Sequence, residues 1–185
     1  MVATTLMSVD EFERMPEDPT GVRYELVHGE LVPMPGGGLE HGYLGNDVGV
    51  ALTLHVRPRR LGRVFNSDTG YRLFPDQQTV LSPDVSFVRA ERLATVEDVT
   101  RVGGFAPDLA VEVVSPNDRM SEVLAKVATY LAAGVRLVWV IEPEHRAVTA
   151  YAPNGDPRRF GEGNVLDGGD VLPEFRLPVA DIFAS

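Results

Sequence analysis

Leu109-Ala-Val-Glu-Val-Val-Ser-Pro-Asn-Asp118 and Gly134-Val-Arg-Leu-Val-Trp-Val-Ile141 decide the fold, together with the stretch that joins them. Leu109–Ser115 and Val135–Ile141 are near-continuous apolar runs, the pattern of strands covered on both faces. Between them Val123, Val127, Met120, Leu131 and Leu124 fall on one stripe at about 100° per residue, which predicts a helix. Asn117 or Asp118 can cap its start, it runs to about Ala133, and Gly134 closes it. A strand–helix–strand unit of this kind makes its strands parallel neighbours with a right-handed crossover.

The unit sits among antiparallel elements. Arg146–Tyr151 is expected to pair with the second strand across Pro143-Glu-His145. Upstream, Ser8-Val-Asp-Glu11 fits a capping box, so a short helix should run from about Val9 to Met15. Tyr24-Glu-Leu-Val-His-Gly-Glu-Leu-Val32 reads as a hairpin turning at His28-Gly29. Pro33 to Gly38 reads as a linker or mobile flap. Leu44, Val48, Ala51, Leu52 and Val56 recur with a helical period from about Glu40, and Pro58 is expected to end that helix. Strands are expected at Arg63–Asn66, Tyr71–Phe74 and Val80–Val88, the last broken by Pro83. The class is α/β, a mixed β-sheet flanked by helices. It forms one domain, 1–185, with a core over about 22–151 and a turn-rich C-terminal extension, 152–185.

Composition narrows the function. Of 185 residues, 44% are hydrophobic and 24% charged, as in an ordinary globular chain. No apolar run approaches the roughly 20 residues that span a bilayer, so no membrane association is expected. Met1-Val-Ala-Thr-Thr does not open a leader of basic then apolar residues, so the expected compartment is the cytoplasm. Without cysteine there is neither a disulfide framework nor a thiolate metal site. A net charge of -10 argues against broad electrostatic binding of nucleic acid. Arg57, Arg59, Arg60 and Arg63 are the densest basic cluster, either a phosphate-facing patch or a solvated helix end.

Two residues stand out chemically. Glu112 interrupts an apolar strand, sharing a face with Ala110 and Val114. A buried carboxylate needs a proton, an ion pair or a metal. Lys126 is the one lysine beside 16 arginines, and a lysine ammonium shifts its pKa in ways a guanidinium does not. It lies at the edge of the apolar helix stripe, where its ammonium can reach past the sheet, or pair with Glu122 at the surface. Asp84, in Pro83-Asp-Val-Ser-Phe-Val88, is a second acid at a strand start. Two hard carboxylates at a sheet edge suit Mg²⁺ or Mn²⁺.

Pro83-Asp84, followed 28 residues later by strand-borne Glu112, resembles the PD-(D/E)XK nuclease superfamily. Tyr24–Glu30, Pro83–Val88, Pro107–Asp118, Lys126, Tyr130 and Gly134–Ile141 together resemble the Uma family of restriction endonucleases. The resemblance covers about Tyr24 to Tyr151. It implies a restriction-endonuclease-like core and Mg²⁺-dependent hydrolysis of DNA phosphodiester bonds. Asp84, Glu112 and the Val113 backbone carbonyl would hold the metal, with Lys126 as the catalytic cation. The superfamily places lysine two residues after the second acid, and Val114 stands there. The Uma family carries it on the following helix, which Lys126 fits. The alternative is an inactive binding or oligomerisation module that keeps the fold, a reading the net charge favours.

Four residues are supporting candidates. Glu40 and His41 open the first long helix, where the superfamily often supplies a third acid, or where an acid simply meets the helix dipole. Asp108 either joins Glu112 or is a turn residue. Glu25 either faces the site or is an exposed strand residue. His28, His55 and His145 are scattered and assigned no metal, and Trp139 is expected in the core. An edge strand or the hydrophobic end Val179–Phe183 would suit a homodimer, by analogy with nucleases that use two active sites.

Overall fold

The computed structural model describes residues 6–34, 36–74 and 76–184. Met1–Thr5, read above for a leader, and Pro35, in the glycine-rich segment, lie outside the described residues.

Ser8 caps a short helix, α1 (Val9–Glu13), by the reciprocal hydrogen bonds of a capping box. Strands β1 (Arg23–Val27) and β2 (Glu30–Met34) form the expected hairpin. His28 and Gly29 both take positive φ, 50° and 84°, which suits a two-residue turn between right-twisted strands. The segment read as a linker is partly strand, because β2 extends through Pro33 to Met34.

Helix α2 (Leu39–Arg59) runs through Pro58 instead of stopping there. Pro58 lies in the last turn, among exposed residues. The His55 carbonyl in that turn accepts from the Arg59 guanidinium at 3.1 Å. The helix ends at Arg60, which turns left-handed. Strands β3 (Gly62–Asn66), β4 (Tyr71–Arg72), β5 (Val80–Leu81) and β6 (Val85–Arg89) follow, then helix α3 (Ala90–Leu93).

The central unit is strand β7 (Leu109–Val113), helix α4 (Met120–Ala132) and strand β8 (Leu137–Glu142), with β7 and β8 parallel in register. The α4 N-cap is Arg119, neither Asn117 nor Asp118. The Asp118 carboxylate instead accepts the Ser115 N–H at 2.8 Å and closes the turn leaving β7. Beyond β8 come β9 (Ala147–Tyr151), β10 (Arg158–Gly161), β11 (Val165–Gly168), β12 (Leu172–Pro178) and α5 (Val179–Ile182).

The main sheet has the order β10-β9-β8-β7-β6-β3 and is antiparallel except for β7 with β8. A second sheet, β2-β1-β5-β4, stands beside it, and β11 pairs with β12. Strand alternation sorts the core. Leu109, Val111, Val113, Trp139 and Ile141 face α2, meeting Leu44, Val48, Leu52 and Val56. Ala110, Val138 and Val140 face α4, meeting Val123, Val127 and Tyr130. Met120 and Leu124, placed on the buried stripe above, are largely exposed, so the α4 contact is narrower than the apolar pattern.

The C-terminal segment completes the core. β10 extends the main sheet, and Leu166, Leu172, Phe175, Val179, Ile182 and Phe183 join the α2-facing cluster. The hydrophobic end is thus buried within its own chain. No helix among the described residues is long and apolar enough to cross a membrane.

Candidate active site

The end of β7 gathers side chains from both sheets and both long helices. Glu112 lies on the α4 side of β7 and is 9% exposed. Its Oε1 accepts from the Tyr130 hydroxyl at 2.7 Å, and its Oε2 lies 3.6 Å from the Lys126 ammonium. Lys126 also contacts Glu25 of β1, at 2.9 Å to Oε2 and 3.0 Å to Oε1. Glu25 is buried, and its Oε1 further accepts the Ser82 N–H at 2.9 Å. Lys126 therefore sits between two buried carboxylates. Glu122, its alternative surface partner, lies near Arg119 instead.

Asp84 precedes β6 beside β7. Its Oδ2 accepts the Val113 N–H at 2.7 Å and lies 3.3 Å from His41 Nε2. Oδ1 accepts no hydrogen bond among the described residues. Pairing of β7 with β8 turns the Val114 N–H to Ile141, so alternation turns the Val113 amide to the Asp84 side. The Val113 carbonyl shares that side of the strand. His41 is seated by Gly37, where an added Cβ would stand 2.6 Å from Nδ1. Gly37 of the glycine segment thus abuts the site residue His41.

The electrostatics follow from burial and crowding. Burial raises the Glu112 pKa to about 7, and Asp84 and Glu25 add to the rise against the lowering by Lys126 and Tyr130. Burial opposes the charge on Lys126, but Glu112 and Glu25 outweigh it and hold its pKa above the ordinary lysine value. The hydrogen bond to Asp84 raises the His41 pKa, against a lowering by burial. The Tyr130 pKa is raised well above the phenol value, by burial first and then by Glu112, so the hydroxyl keeps its proton and donates a hydrogen bond to Glu112.

The other expected residues separate. Glu40 is exposed in the first turn of α2, so His41, not Glu40, joins the cluster. Asp108 lies at the far end of β7, about 13 Å from Glu112 at ~3.3 Å per residue. There it accepts the Arg89 N–H at 2.9 Å and pairs with Arg92 at 3.2 Å, a structural role. Tyr130 is the residue that sequence reasoning passed over as a participant. Its signal was the i+4 spacing from Lys126 on one helix face.

The charge balance suits a divalent cation. Three carboxylates, Asp84, Glu112 and Glu25, meet one ammonium, Lys126, and one imidazole, His41. Asp84 Oδ1, a Glu112 carboxylate and the Val113 carbonyl are hard oxygen donors of the kind Mg²⁺ takes with waters. Among the described residues no three His, Asp or Glu side chains form a closed metal cage. A cation that keeps several waters does not require one.

A family model, Uma2, described as "Putative restriction endonuclease", matches residues 9–180. The fold matches that of a solved chain described as a putative nuclease belonging to DUF820 from Anabaena variabilis ATCC 29413. The TM-score is 0.82 at 21% identity, over 96% of this chain and 97% of that one. No curated protein matches the sequence.

Proposed function

This chain belongs to the Uma2 family, and from that premise we propose a divalent-metal-dependent endonuclease that hydrolyses DNA phosphodiester bonds. The observation that carries the reading is the ammonium of Lys126 held between Glu25 and Glu112 at the strand end that Asp84 shares.

Asp84, Glu112 and the Val113 carbonyl would hold Mg²⁺, with Mn²⁺ a plausible substitute. When bound, the ion supplies Lewis-acid polarisation of the scissile phosphate and a lowered pKa for the attacking water. The remaining chemistry belongs to the chain. Lys126 stays protonated beside its two acids, so it acts as a fixed positive charge, not a base. It stabilises charge developing on the phosphoryl oxygens and orients the water that attacks phosphorus. Glu25 positions Lys126 and balances its charge. The Tyr130 hydroxyl holds Glu112 Oε1, while Oε2 lies toward the Lys126 ammonium. His41 and the Val113 N–H fix Asp84 through Oδ2, leaving Oδ1 for a ligand.

The test is cleavage of supercoiled plasmid and of single-stranded DNA with Mg²⁺ or Mn²⁺. Glu112→Gln and Lys126→Met should each lower the rate by about 10²–10³-fold, as loss of an electrostatic stabiliser does. Undiminished cleavage by Lys126→Met would remove that residue from the mechanism. No cleavage, with no Mn²⁺-dependent thermal shift that Asp84→Ala abolishes, would favour the binding-module alternative.

A further inference from the structure

A cleft of about 430 Å³ opens directly from Asp84 and His41 and runs along α2. One wall is the α2 face bearing Gly42, Gly45 and Gly49; the other is the edge strand β3 with its Val64–Ser67 segment. From His41 to Leu54 the helix wall is about 20 Å long at ~1.5 Å per residue. At Gly42 and Gly45 an added Cβ would meet nothing within 4 Å, so these glycines leave space open rather than packing a neighbour. Three glycines weaken a helix; Gly49 lies against Val85, and the open space left at Gly42 and Gly45 has no packing use.

The lining is mixed. Val50 and Leu54 expose 49% and 69% of their surface there, the latter in a helix whose other face is core. Asn46 and Thr53 supply an amide and a hydroxyl beside them, while across the cleft Asn66 is held by Asp68 and Ser67 by Arg23. Arg57 continues the same helix face one turn beyond Thr53. It is exposed, as is Arg60 at the helix end, and neither has a carboxylate partner among the described residues. One end of the cleft is thus Asp84 with His41, and the other leads toward Arg57.

We propose that this cleft is the track for one strand of the substrate, so that the protein engages single-stranded or locally unpaired DNA. The inference rests on the nuclease reading above and adds its substrate class. A duplex presents phosphates outward and keeps its bases stacked, and would gain little from an apolar cleft. An unpaired strand places base faces against Val50 and Leu54, base edges against the polar groups beside them, and a downstream phosphate at Arg57. The bare glycines let the strand approach the helix backbone. The cations at the far end make this compatible with a chain of net charge -10, because the favourable potential is needed only along the track.

Gly45→Leu fills the cleft in open space and replaces a poor helix former with a good one, so its Tm should equal or exceed wild type. Binding is read by anisotropy of a labelled single-stranded oligonucleotide and its blunt duplex, in Ca²⁺ to limit turnover. Single strand should bind more tightly than duplex, and Gly45→Leu should weaken it by about tenfold or more, as loss of a base-stacking surface does. Arg57→Gln should weaken it several-fold and reduce the salt slope by roughly one phosphate contact. Equal binding of duplex and single strand, or wild-type binding by Gly45→Leu, would overturn the track. So would a wild-type dimer that Gly45→Leu dissociates in sedimentation, which would make the cleft a subunit interface. If the wild type binds single strands through the cleft but cleaves nothing with any metal, the track stands and hydrolysis fails. If Gly45→Leu cleaves single strands at the wild-type rate, hydrolysis stands and the track fails.

Discussion

Replacing Glu112 by glutamine should change how the metal-free protein responds to pH, in one direction. Glu112 faces Asp84, Glu25, Lys126 and Tyr130, and its folded-state pKa is about 7 against 4.5 for an ordinary glutamic acid. Below pH 4.5 the carboxyl is protonated in folded and unfolded chains alike, and its contribution to stability is fully present. As pH rises, the unfolded chain ionises first while the folded chain keeps its proton, so stability falls. The loss is complete once pH passes the folded pKa. The difference in pKa corresponds to about 3 kcal/mol. Glutamine cannot ionise and forgoes that loss. In EDTA, urea unfolding followed by circular dichroism should therefore show the stability gap moving toward the variant by about 3 kcal/mol between roughly pH 4.5 and pH 8. Groups that titrate in both proteins, His41 among them, largely cancel in the difference. A gap constant across that range would refute the reasoning, because it would mean that Lys126 and Tyr130 fully compensate the burial.

Other perturbations probe separate links. Tyr130→Phe removes the donor to Glu112 Oε1 and should cost about 1–3 kcal/mol in urea unfolding; wild-type stability would show that water replaces the hydroxyl. Reductive methylation can label only Lys126 and the N-terminus as amines, so one NMR resonance should titrate above the ordinary lysine range and fall in Glu112→Gln. A Lys126 resonance indifferent to that change would place the ammonium in solvent. Gly37→Ala puts a Cβ against the His41 ring and should move the imidazole off Asp84, lowering its NMR pKa; an unchanged titration would show that the segment yields instead. Arg92→Met leaves Asp108 buried without its cation and should cost about 3 kcal/mol while single-turnover cleavage is retained, whereas loss of cleavage at equal stability would give Asp108 a role at the site.

The strand–helix–strand unit was legible because its signals are local. Alternation along Leu109–Ser115 put Glu112 on one face, and the helical period put Lys126 at the edge of the α4 contact. What escaped depends on partners far away in the chain. Glu25 reads equally as a site acid or an exposed strand residue, and only the meeting of β1 with the Ser82 backbone and α4, across 101 residues for its bond to Lys126, decides between them. Asp108 and Glu112 share a strand and an acid's chemistry, and only the separate neighbours Arg92 and Tyr130 divide them. The Asp118 side chain was equally suited to cap α4 or close the preceding turn, and a local geometric choice settled it. Pro58 misled because the rule against interior proline weakens in a last, solvent-facing turn. The α2 cleft left a sequence trace, Gly42, Gly45 and Gly49, but glycines alone do not say whether space is filled or open.

The C-terminal segment has a consequence for the order in which this molecule assembles. His55 Nε2 meets the Pro173 carbonyl at 3.0 Å, 118 residues away, and its ring packs edge-on against Phe175. The residues that seat α2 thus lie well after Glu25, Asp84, Glu112 and Lys126 along the chain. Contacts of such long sequence separation close late and slowly. During synthesis the α4 side of the sheet can form while the α2 side stays open, which keeps His41 from Asp84 and leaves apolar surface exposed. A nascent chain in that state exposes surface that chaperones bind, and the His41–Asp84 contact would form only once this later segment docks.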